Sequence, residues 1–335
     1  MVVWCLKARE VTPIFLLTFV SSGSEELTSF YVAMPPSAIR RLLRSYPSLN
    51  LRINVNRQRN HVDVVLPGLR YDDLDNAGLP DVWRIYDMIS RVEFASFFHH
   101  ESSFLDYKSL LENNITTITK AVRMDIRSGF FETTTPKAPL GISLKLSHIN
   151  DNSLMTTCGM ICGGKMKPSI IVKNVHAVVK ADTSKSCNLP DWWLMKHKKN
   201  LTEPVKPYLI KPQAVPAETH NHVFTVPLTD VDALSRTRCS SYVRYFAENA
   251  SIASLKDFYP QISTKFHNYC ISRMSMLYFG PTTWGDVLVS KTWEDAMNPY
   301  TLHCSISKDS LLQWYGCFEF HPEIFGLEDD AENIS

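Results

Sequence analysis

Two long apolar segments, each followed by runs in which apolar and polar residues alternate, constrain the fold more than any other feature of the sequence. The first segment, Pro80 to His99, is apolar on nearly all sides, and Pro80 suits the first turn of a helix. The second, Ser241 to Phe258, is rich in aromatic and aliphatic residues, and Ser240 or Ser241 provides a natural N-cap. Both patterns predict a helix that is buried in the middle of a domain.

Strand-like runs follow both predicted helices. Apolar residues alternate strictly in Leu140–Leu146. They occupy most of the alternate positions in Leu154–Met160, Ile171–Val179, Met274–Tyr278, Val287–Trp293, Leu302–Ile306 and Leu312–Phe320. A period of two, with short turns between the runs, predicts antiparallel hairpins with one buried face. One long helix and a meander of four or five strands, present twice, predict an α+β fold in which each half wraps an antiparallel sheet around its helix.

A polar stretch that is rich in proline and lysine separates the two halves, and its composition predicts a connector. Before the first half, arginines at positions 40, 41 and 44 predict a short basic helix, either a solvated face or a contact for a phosphate-bearing ligand. The predicted organisation is a leader with this helix over 1–58, a first domain over 59–182, a linker over 183–219, a second domain over 220–322 and an acidic tail over 323–335.

Composition limits the classes of partner. Lysine plus arginine (35) nearly balances aspartate plus glutamate (34), so we expect no nucleic-acid partner. Cys158 and Cys162 lack the second pair of ligands that a zinc site requires, so we expect no metal and buried reduced thiols. The apolar run Ile14 to Val20 is too short to span a bilayer, so we expect no stable membrane insertion. We expect a cytoplasmic or mitochondrial location, with a cleaved N-terminal signal as the alternative.

The turns before the two helices resemble those of hot-dog-fold thioesterases of the 4-hydroxybenzoyl-CoA and acyl-ACP type. Asp75-x-x-Gly78 matches the family's Asp-x-x-Gly turn, and Thr229-Asp230 followed by Ser241-Tyr242 is similar to the same region. Met274 to Asp286 is similar to the family's second strand and the turn after it, and Lys173 to Trp192 to its last strand and tail. The resemblance covers roughly residues 60–192 and 221–320. It implies a tandem (double) hot-dog, either a monomer acting as a pseudo-dimer or a homodimer.

The resemblance also implies acyl-thioester chemistry. Hydrolysis of a thioester needs a carboxylate that activates water or attacks the carbonyl carbon, and donors that stabilise the resulting oxyanion. A helix N-terminus supplies such donors, so the chemistry needs no cofactor. The candidate catalytic residues are Asp75, then Asp73, and in the second half Asp230 and Asp232. The candidate substrate-binding residues are Gly78, Asp81, Ser241 and Tyr242. The alternative interpretation is that these acids are turn and cap residues.

Both turns depart from the family pattern. Leu79 stands where the family has a histidine, Asp81 lies near the position of its asparagine, and the second-half turn has no glycine. No histidine lies between Asp230 and Tyr242, which disfavours a hydratase, and no Gly-x-Ser-x-Gly elbow indicates an α/β-hydrolase. The predicted function is hydrolysis of acyl-CoA or acyl carrier protein thioesters, in fatty-acid and lipid metabolism. The alternatives are a non-catalytic acyl-thioester or lipid-binding protein with a degenerate site, and an assembly module.

Overall fold

The computed structural model describes residues 52–324, except for 57, 59, 76, 100, 101, 202–206, 208, 233, 234, 263–265, 267 and 268. The predicted basic helix at the N-terminal end and most of the predicted acidic tail therefore lie outside the described residues. In the described ranges, no helix is both long and apolar enough to cross a membrane.

The described elements follow the chain in two similar series. The strands are β1 (Arg52–Asn56), β2 (His61–Leu66), β3 (Ile115–Ile126), β4 (Leu140–Asn150), β5 (Ser153–Cys162), β6 (Ile170–Lys180), β7 (His220–Thr225), β8 (Tyr269–Tyr278), β9 (Val287–Glu294), β10 (Thr301–Lys308) and β11 (Leu311–Ile324). The helices are α1 (Val82–Phe97), α2 (Tyr107–Glu112), α3 (Asp191–Lys198) and α4 (Cys239–Ser254). Tyr71–Asp73 and Leu228–Asp230 each form a single turn of 3₁₀ helix before α1 and α4.

All strands belong to one antiparallel sheet with the order β1-β2-β4-β5-β6-β3-β8-β11-β10-β9-β7. The block β2-β4-β5-β6-β3 has the same internal order as the block β7-β9-β10-β11-β8. The two blocks meet where β3 pairs with β8, with Ala121 opposite Leu277 and Asp125 opposite Arg273. The halves are therefore two copies of one plan, joined edge to edge into a continuous sheet.

The predicted plan of two buried helices, each against an antiparallel sheet, is confirmed, but the simple meander is wrong at one strand in each half. β3 carries Thr116, Thr117 and Thr119 among its apolar residues, which interrupt the alternation. It pairs with β6 instead of with β4, the next strand along the chain, and β8 likewise pairs with β11 instead of with β9. The strand after each helix therefore lies at the centre of the sheet, where the two halves meet.

The helices α1 and α4 pack on each other and bury their apolar sides. Ile85 and Ile89 of α1 are fully buried, and Phe246 of α4 stacks on Phe318 of β11 with ring centroids 3.6 Å apart. α1 begins at Val82, close to the predicted start.

The predicted N-cap of the second helix is wrong, because α4 begins two residues earlier, after Arg238. Ser240 and Ser241 therefore lie inside the first turn of α4 and do not cap it. The hydroxyl of Ser240 instead donates to Asp87 Oδ1 of α1 at 2.7 Å, which joins the two helices.

Two segments outside the predicted domains pack against them. β1 pairs with β2, so the first domain extends into the predicted leader. The predicted linker contains α3, whose Trp193 is fully buried and donates its indole N–H to the carbonyl oxygen of Leu105 at 2.7 Å. Further along the linker, the Gln213 side chain donates to Asp295 Oδ2 at 2.7 Å. The segment is thus more than a connector, since it packs on both halves.

Candidate functional site

The turns that precede α1 and α4 have the same backbone hydrogen bonds at equivalent residues. Asp75 N–H donates to the Leu79 carbonyl at 2.7 Å, and Asp232 N–H to the Arg236 carbonyl at 2.8 Å. The residue before each helix, Asp81 or Arg238, donates its N–H at 2.9 Å to the carbonyl of Asp73 or Asp230. Asp73 thus corresponds to Asp230, Asp75 to Asp232 and Asp81 to Arg238.

The Asp-x-x-Gly motif is preserved in shape in the second half although its glycine is absent. Gly78 has a φ of +78°, in the left-handed region that favours glycine. Its equivalent, Ser235, also adopts a positive φ, +59°. Both residues donate their N–H to the carbonyl of the turn aspartate, at 3.1 Å for Gly78 and 3.0 Å for Ser235. The backbone of this turn is therefore repeated even where its sequence is not.

A cavity of about 280 Å³ lies beside the first-half turn, between the first turn of α1 and the middle of α4. One part of its wall is apolar and aromatic and includes Phe131, Phe246, Phe266, Tyr269 and Phe320. The other part is polar and includes Asp75, Asp81, Arg244 and Glu248. A cleft with an apolar side and a few charged groups is the usual form of a small-molecule site.

Asp75 is both a turn residue and a wall residue of this cavity. Its Oδ1 accepts the backbone N–H groups of Ala77 and Leu79, each at 2.9 Å. The carboxylate is therefore fixed by the backbone of its own turn, and it lies against the space that a ligand would occupy. The two interpretations of Asp75 from the sequence, turn residue and site residue, are compatible in this geometry.

Asp81 caps α1 and lines the same cavity. Its Oδ1 accepts the Trp83 N–H at 3.3 Å, and its Oδ2 lies 3.6 Å from Arg84 Nε. The pKa of Asp81 is raised to about 6, mainly by burial and to a smaller extent by the negative charge of Asp75, while Trp83 and Arg84 oppose the rise. A carboxyl group that exchanges its proton near neutral pH, in a cleft, is a candidate acid–base group.

Asp73 and Cys270 flank this pair. Asp73 is buried, accepts the Arg70 N–H at 2.8 Å and is not among the residues that line the cavity. Cys270 does line the cavity, and burial raises its pKa to about 12, with a smaller contribution from the charge of Asp75. Its thiol therefore stays protonated near neutral pH, which disfavours a cysteine nucleophile here.

In the second half, the candidate acids are bonded to neighbouring side chains. Asp230 is buried, forms an ion pair with Arg244 and accepts the Tyr245 hydroxyl at 2.6 Å. Asp232 accepts the Arg236 N–H at 3.0 Å and lies 3.6 Å from the guanidinium of the same residue. Neither acid lines the first-half cavity.

Of the four predicted substrate-binding residues, only Asp81 lines the first-half cavity. Tyr242 bonds to Thr282 through its hydroxyl at 2.8 Å, and Ser241 is buried in the first turn of α4. Neither lines the first-half cavity, and nor does Gly78, which lies in the turn itself, whereas Asp81 does line it.

Two solved structures of thioesterases are similar to this chain over most of its length. The acyl-ACP thioesterase from Bacteroides thetaiotaomicron superposes with a TM-score of 0.59 and 15% identity, covering 80% of this chain and 100% of that one. The 12:0-ACP thioesterase from Umbellularia californica has a TM-score of 0.62 and 10% identity, covering 79% of this chain and 98% of that one. The chain has the tandem hot-dog fold. No protein-family model and no curated protein sequence matches it.

The tandem hot-dog arrangement accounts for two cavity residues that sequence analysis missed. Arg244 and Glu248 line the cavity from α4 of the second half, whereas Asp75 and Asp81 line it from the first half. Contacts between two halves depend on how α1 crosses α4, and one sequence does not reveal that crossing. The available signal was the spacing of four between Arg244 and Glu248, which places the two charged residues of α4 on one side of the helix.

Proposed function

We propose that this protein hydrolyses acyl thioesters of coenzyme A or of an acyl carrier protein, in the cavity between the Asp75 turn and α4. One observation carries the proposal: two carboxyl groups, Asp75 and Asp81, line one apolar cavity at the N-terminus of α1, and the pKa of Asp81 is raised to about 6. The tandem hot-dog fold that the chain shares with two acyl-ACP thioesterases supports the same chemistry.

In the proposed reaction, the ionised Asp81 takes a proton from a water molecule. The water oxygen forms a bond to the carbonyl carbon of the thioester, and the carbonyl π electrons move to its oxygen. When this intermediate collapses, the C–S bond breaks and the thiol leaves with the proton returned by Asp81. Water and thioester thus give a carboxylic acid and a thiol.

Asp75 has a supporting role in this scheme. Its carboxylate is fixed by the N–H groups of Ala77 and Leu79, so its negative charge stays beside Asp81. Burial is the main cause that raises the pKa of Asp81 towards the working pH, at which a general base is most effective, and the charge of Asp75 adds to that rise. The positive end of the α1 dipole lies at the same place and favours negative charge on the carbonyl oxygen.

The experiment is a panel of acyl-CoA substrates of increasing chain length, with detection of the free thiol across a range of pH. We expect kcat/KM of the wild type to rise with pH through an inflection near 6, because Asp81 must lose its proton. Asp81→Asn is expected to lower kcat/KM by about 10²–10⁴-fold, as removal of a general base does. Asp75→Asn is expected to move the inflection to lower pH, because it removes the charge that raises the pKa of Asp81.

Asp72→Asn is the matched control, since Asp72 lies in the same segment but is exposed and does not line the cavity. This variant should keep the wild-type rate and inflection. Complete loss of turnover in Asp75→Asn, with a normal rate in Asp81→Asn, would instead assign the base to Asp75. Saturable binding of acyl-CoA without turnover at any chain length would contradict the hydrolase and support the non-catalytic binding protein.

A further inference from the structure

The backbone N–H groups of the first-half turn are largely used by the turn itself. Those of Ala77 and Leu79 donate to Asp75 Oδ1, that of Gly78 donates to the Asp75 carbonyl at 3.1 Å, and that of Trp83 donates to Asp81 Oδ1. These four N–H groups are therefore occupied and do not stabilise an oxyanion beside Asp75 and Asp81. A side-chain donor in the cavity would add to the effect of the α1 N-terminus on the charge that develops on a substrate oxygen.

Arg244 is the one basic side chain among the residues described as lining the cavity. Its guanidinium lies 5.6 Å from the centre of the Trp83 ring, across the boundary between the halves. The Arg244 side chain lines the cavity and is 35% exposed, so a ligand could reach it. A guanidinium has five N–H donors, and the ion pair with Asp230 is made through Nη2, which leaves others for a substrate oxygen.

Asp230 forms an ion pair with Arg244 and does not itself contact the space in this cavity. It is 3% exposed and does not line the cavity. Its Oδ2 accepts from Arg244 and from the Tyr245 hydroxyl, and its carbonyl accepts the Arg238 N–H at 2.9 Å. A buried carboxylate fixed by several donors provides a rigid anchor for a cation.

We propose that Arg244 is a catalytic residue that binds the carbonyl oxygen of the thioester in the first-half cavity, and that Asp230 is the positioning residue that aims it there. The second-half aspartate thus supports the reaction of the first half and performs none of its own. This inference rests on the proposed hydrolase function and assigns the donor that the first-half turn does not supply.

The kinetic test compares variants on one acyl-CoA substrate. Arg244→Gln is expected to lower kcat by about 10²–10³-fold with little change in KM, as loss of an oxyanion donor does. Asp230→Asn should lower kcat less, and the double variant should be no slower than Arg244→Gln alone, because both changes remove one interaction. Tyr245→Phe removes one hydrogen bond to Asp230 and keeps both charges of the ion pair, so it should give a small fall in kcat in a well-folded protein.

A binding experiment tests the contact between Arg244 and a substrate oxygen without turnover. A fatty acid anion and the fatty alcohol of equal chain length are compared by calorimetry on the wild type and on Arg244→Gln. We expect the wild type to bind the acid at least about tenfold more tightly than the alcohol, and Arg244→Gln to lose this preference, since one charge-assisted hydrogen bond is worth about that much. Arg91→Gln removes an arginine of α1 that pairs with Asp87 and does not line the cavity, so it should keep the preference.

The outcomes separate this inference from the proposed function. A wild type that turns over acyl-CoA, with Arg244→Gln equal to it in kcat and in acid preference, overturns the inference and leaves the hydrolase standing. A wild type without turnover that still prefers the acid through Arg244 overturns the hydrolase and keeps the arginine as an anion-binding residue. Additive losses in the Asp230→Asn, Arg244→Gln double variant would show that Asp230 acts independently, against the proposed positioning role.

Discussion

The turn before α1 and the turn before α4 share one backbone and differ in what their side chains do. Both place an aspartate whose Oδ1 accepts an N–H four residues on, from Leu79 in one and Arg236 in the other. In the first turn, Asp75 and Asp81 line a cavity. In the second, Asp230 is paired with Arg244. The same local geometry therefore supports an open site in one half and an ion pair in the other.

The two turns therefore have the same backbone hydrogen bonds, while their side chains differ in charge and in what they contact. The residue before the helix is an acid in the first half, Asp81, and a base in the second, Arg238. On the helices, Asp87 of α1 and Arg244 of α4 stand at equivalent positions, and each reaches across to the other half: Asp87 to Ser240, and Arg244 to the ring of Trp83. The two cross-contacts are equivalent in place and opposite in charge.

The largest expected difference between the turns is the cost of removing the equivalent aspartates Asp230 and Asp73. Asp230→Ala leaves Arg244 without its partner and the Tyr245 hydroxyl without its acceptor, so we expect a loss of about 2–4 kcal/mol in the free energy of unfolding. Asp73→Ala removes an acceptor for the Arg70 N–H and a looser contact with its guanidinium, so we expect about 1 kcal/mol. Urea denaturation of both variants at pH 7 measures the difference.

The double variant Asp230→Ala, Arg244→Met provides the control for that comparison. Because it removes both charges of the pair, it should recover part of the stability that Asp230→Ala loses. Equal losses for Asp230→Ala and Asp73→Ala would show that the ion pair contributes little, and the contrast between the two turns would then rest on the cavity alone.

The next effect concerns Asp81, the helix-start acid that the second turn lacks. Its pKa is about 6 in the folded protein and 3.8 as the ordinary value, so the folded state binds the proton more tightly. Stability is therefore lost as pH rises from about 4 to about 6 and stays lower above that range. Asp81→Asn removes this penalty and keeps the cap, so it should stabilise the protein by about 1–3 kcal/mol at pH 8 and by little at pH 4.

Thermal unfolding of wild type and Asp81→Asn at several pH values measures this effect. Arg238→Asn, at the equivalent position of the second turn, is the comparison, and its effect on stability should not follow the same dependence on pH. A difference between Asp81→Asn and wild type that stays constant from pH 4 to pH 8 would contradict the raised pKa of Asp81.

The fold was predictable where the sequence pattern is local. Both long helices follow from their long apolar segments, and the alternating strands follow from a period of two. The strand β3 was not predicted, because its threonines interrupt the alternation. Its position at the centre of the sheet depends on pairing with β6 and β8. The helix α3 was not predicted, because its segment is rich in proline and lysine. The adjacent Trp192 and Trp193 were the available signal of a buried residue there.

The candidate site was predictable only in its first half. Asp75 and Gly78 follow from a turn motif, since a turn is built from residues that are close in the chain. Arg244 belongs to the other half, and no spacing in the sequence connects it to Asp81. The raised pKa of Asp81 was not predictable from the sequence either, because it arises mainly from burial, which depends on the packed structure.

A third comparison tests the two cross-contacts between the halves. Ser240 and Asp87 correspond in place to Trp83 and Arg244. Ser240→Ala removes a hydrogen bond of 2.7 Å to a carboxylate, so we expect a loss of about 1 kcal/mol in the free energy of unfolding. A double-mutant cycle with Asp87→Asn should give a coupling energy of similar size. Coupling near zero would mean that this contact does not join α1 to α4.

The smallest expected effects come from the residues with positive φ, Gly78 and Ser235. No heavy atom lies within 4 Å of a Cβ added at Gly78, so Gly78→Ala meets no clash and costs only the strain of its φ of +78°, about 1 kcal/mol. Ser235→Gly relieves the same strain at +59° and should stabilise by about 0.5 kcal/mol, since the greater freedom of unfolded glycine offsets part of the gain. Chemical denaturation measures the free energy of unfolding, which should fall in Gly78→Ala and rise in Ser235→Gly. If both destabilise, the two turns are not equivalent in backbone strain, and the second half has adapted its turn to serine.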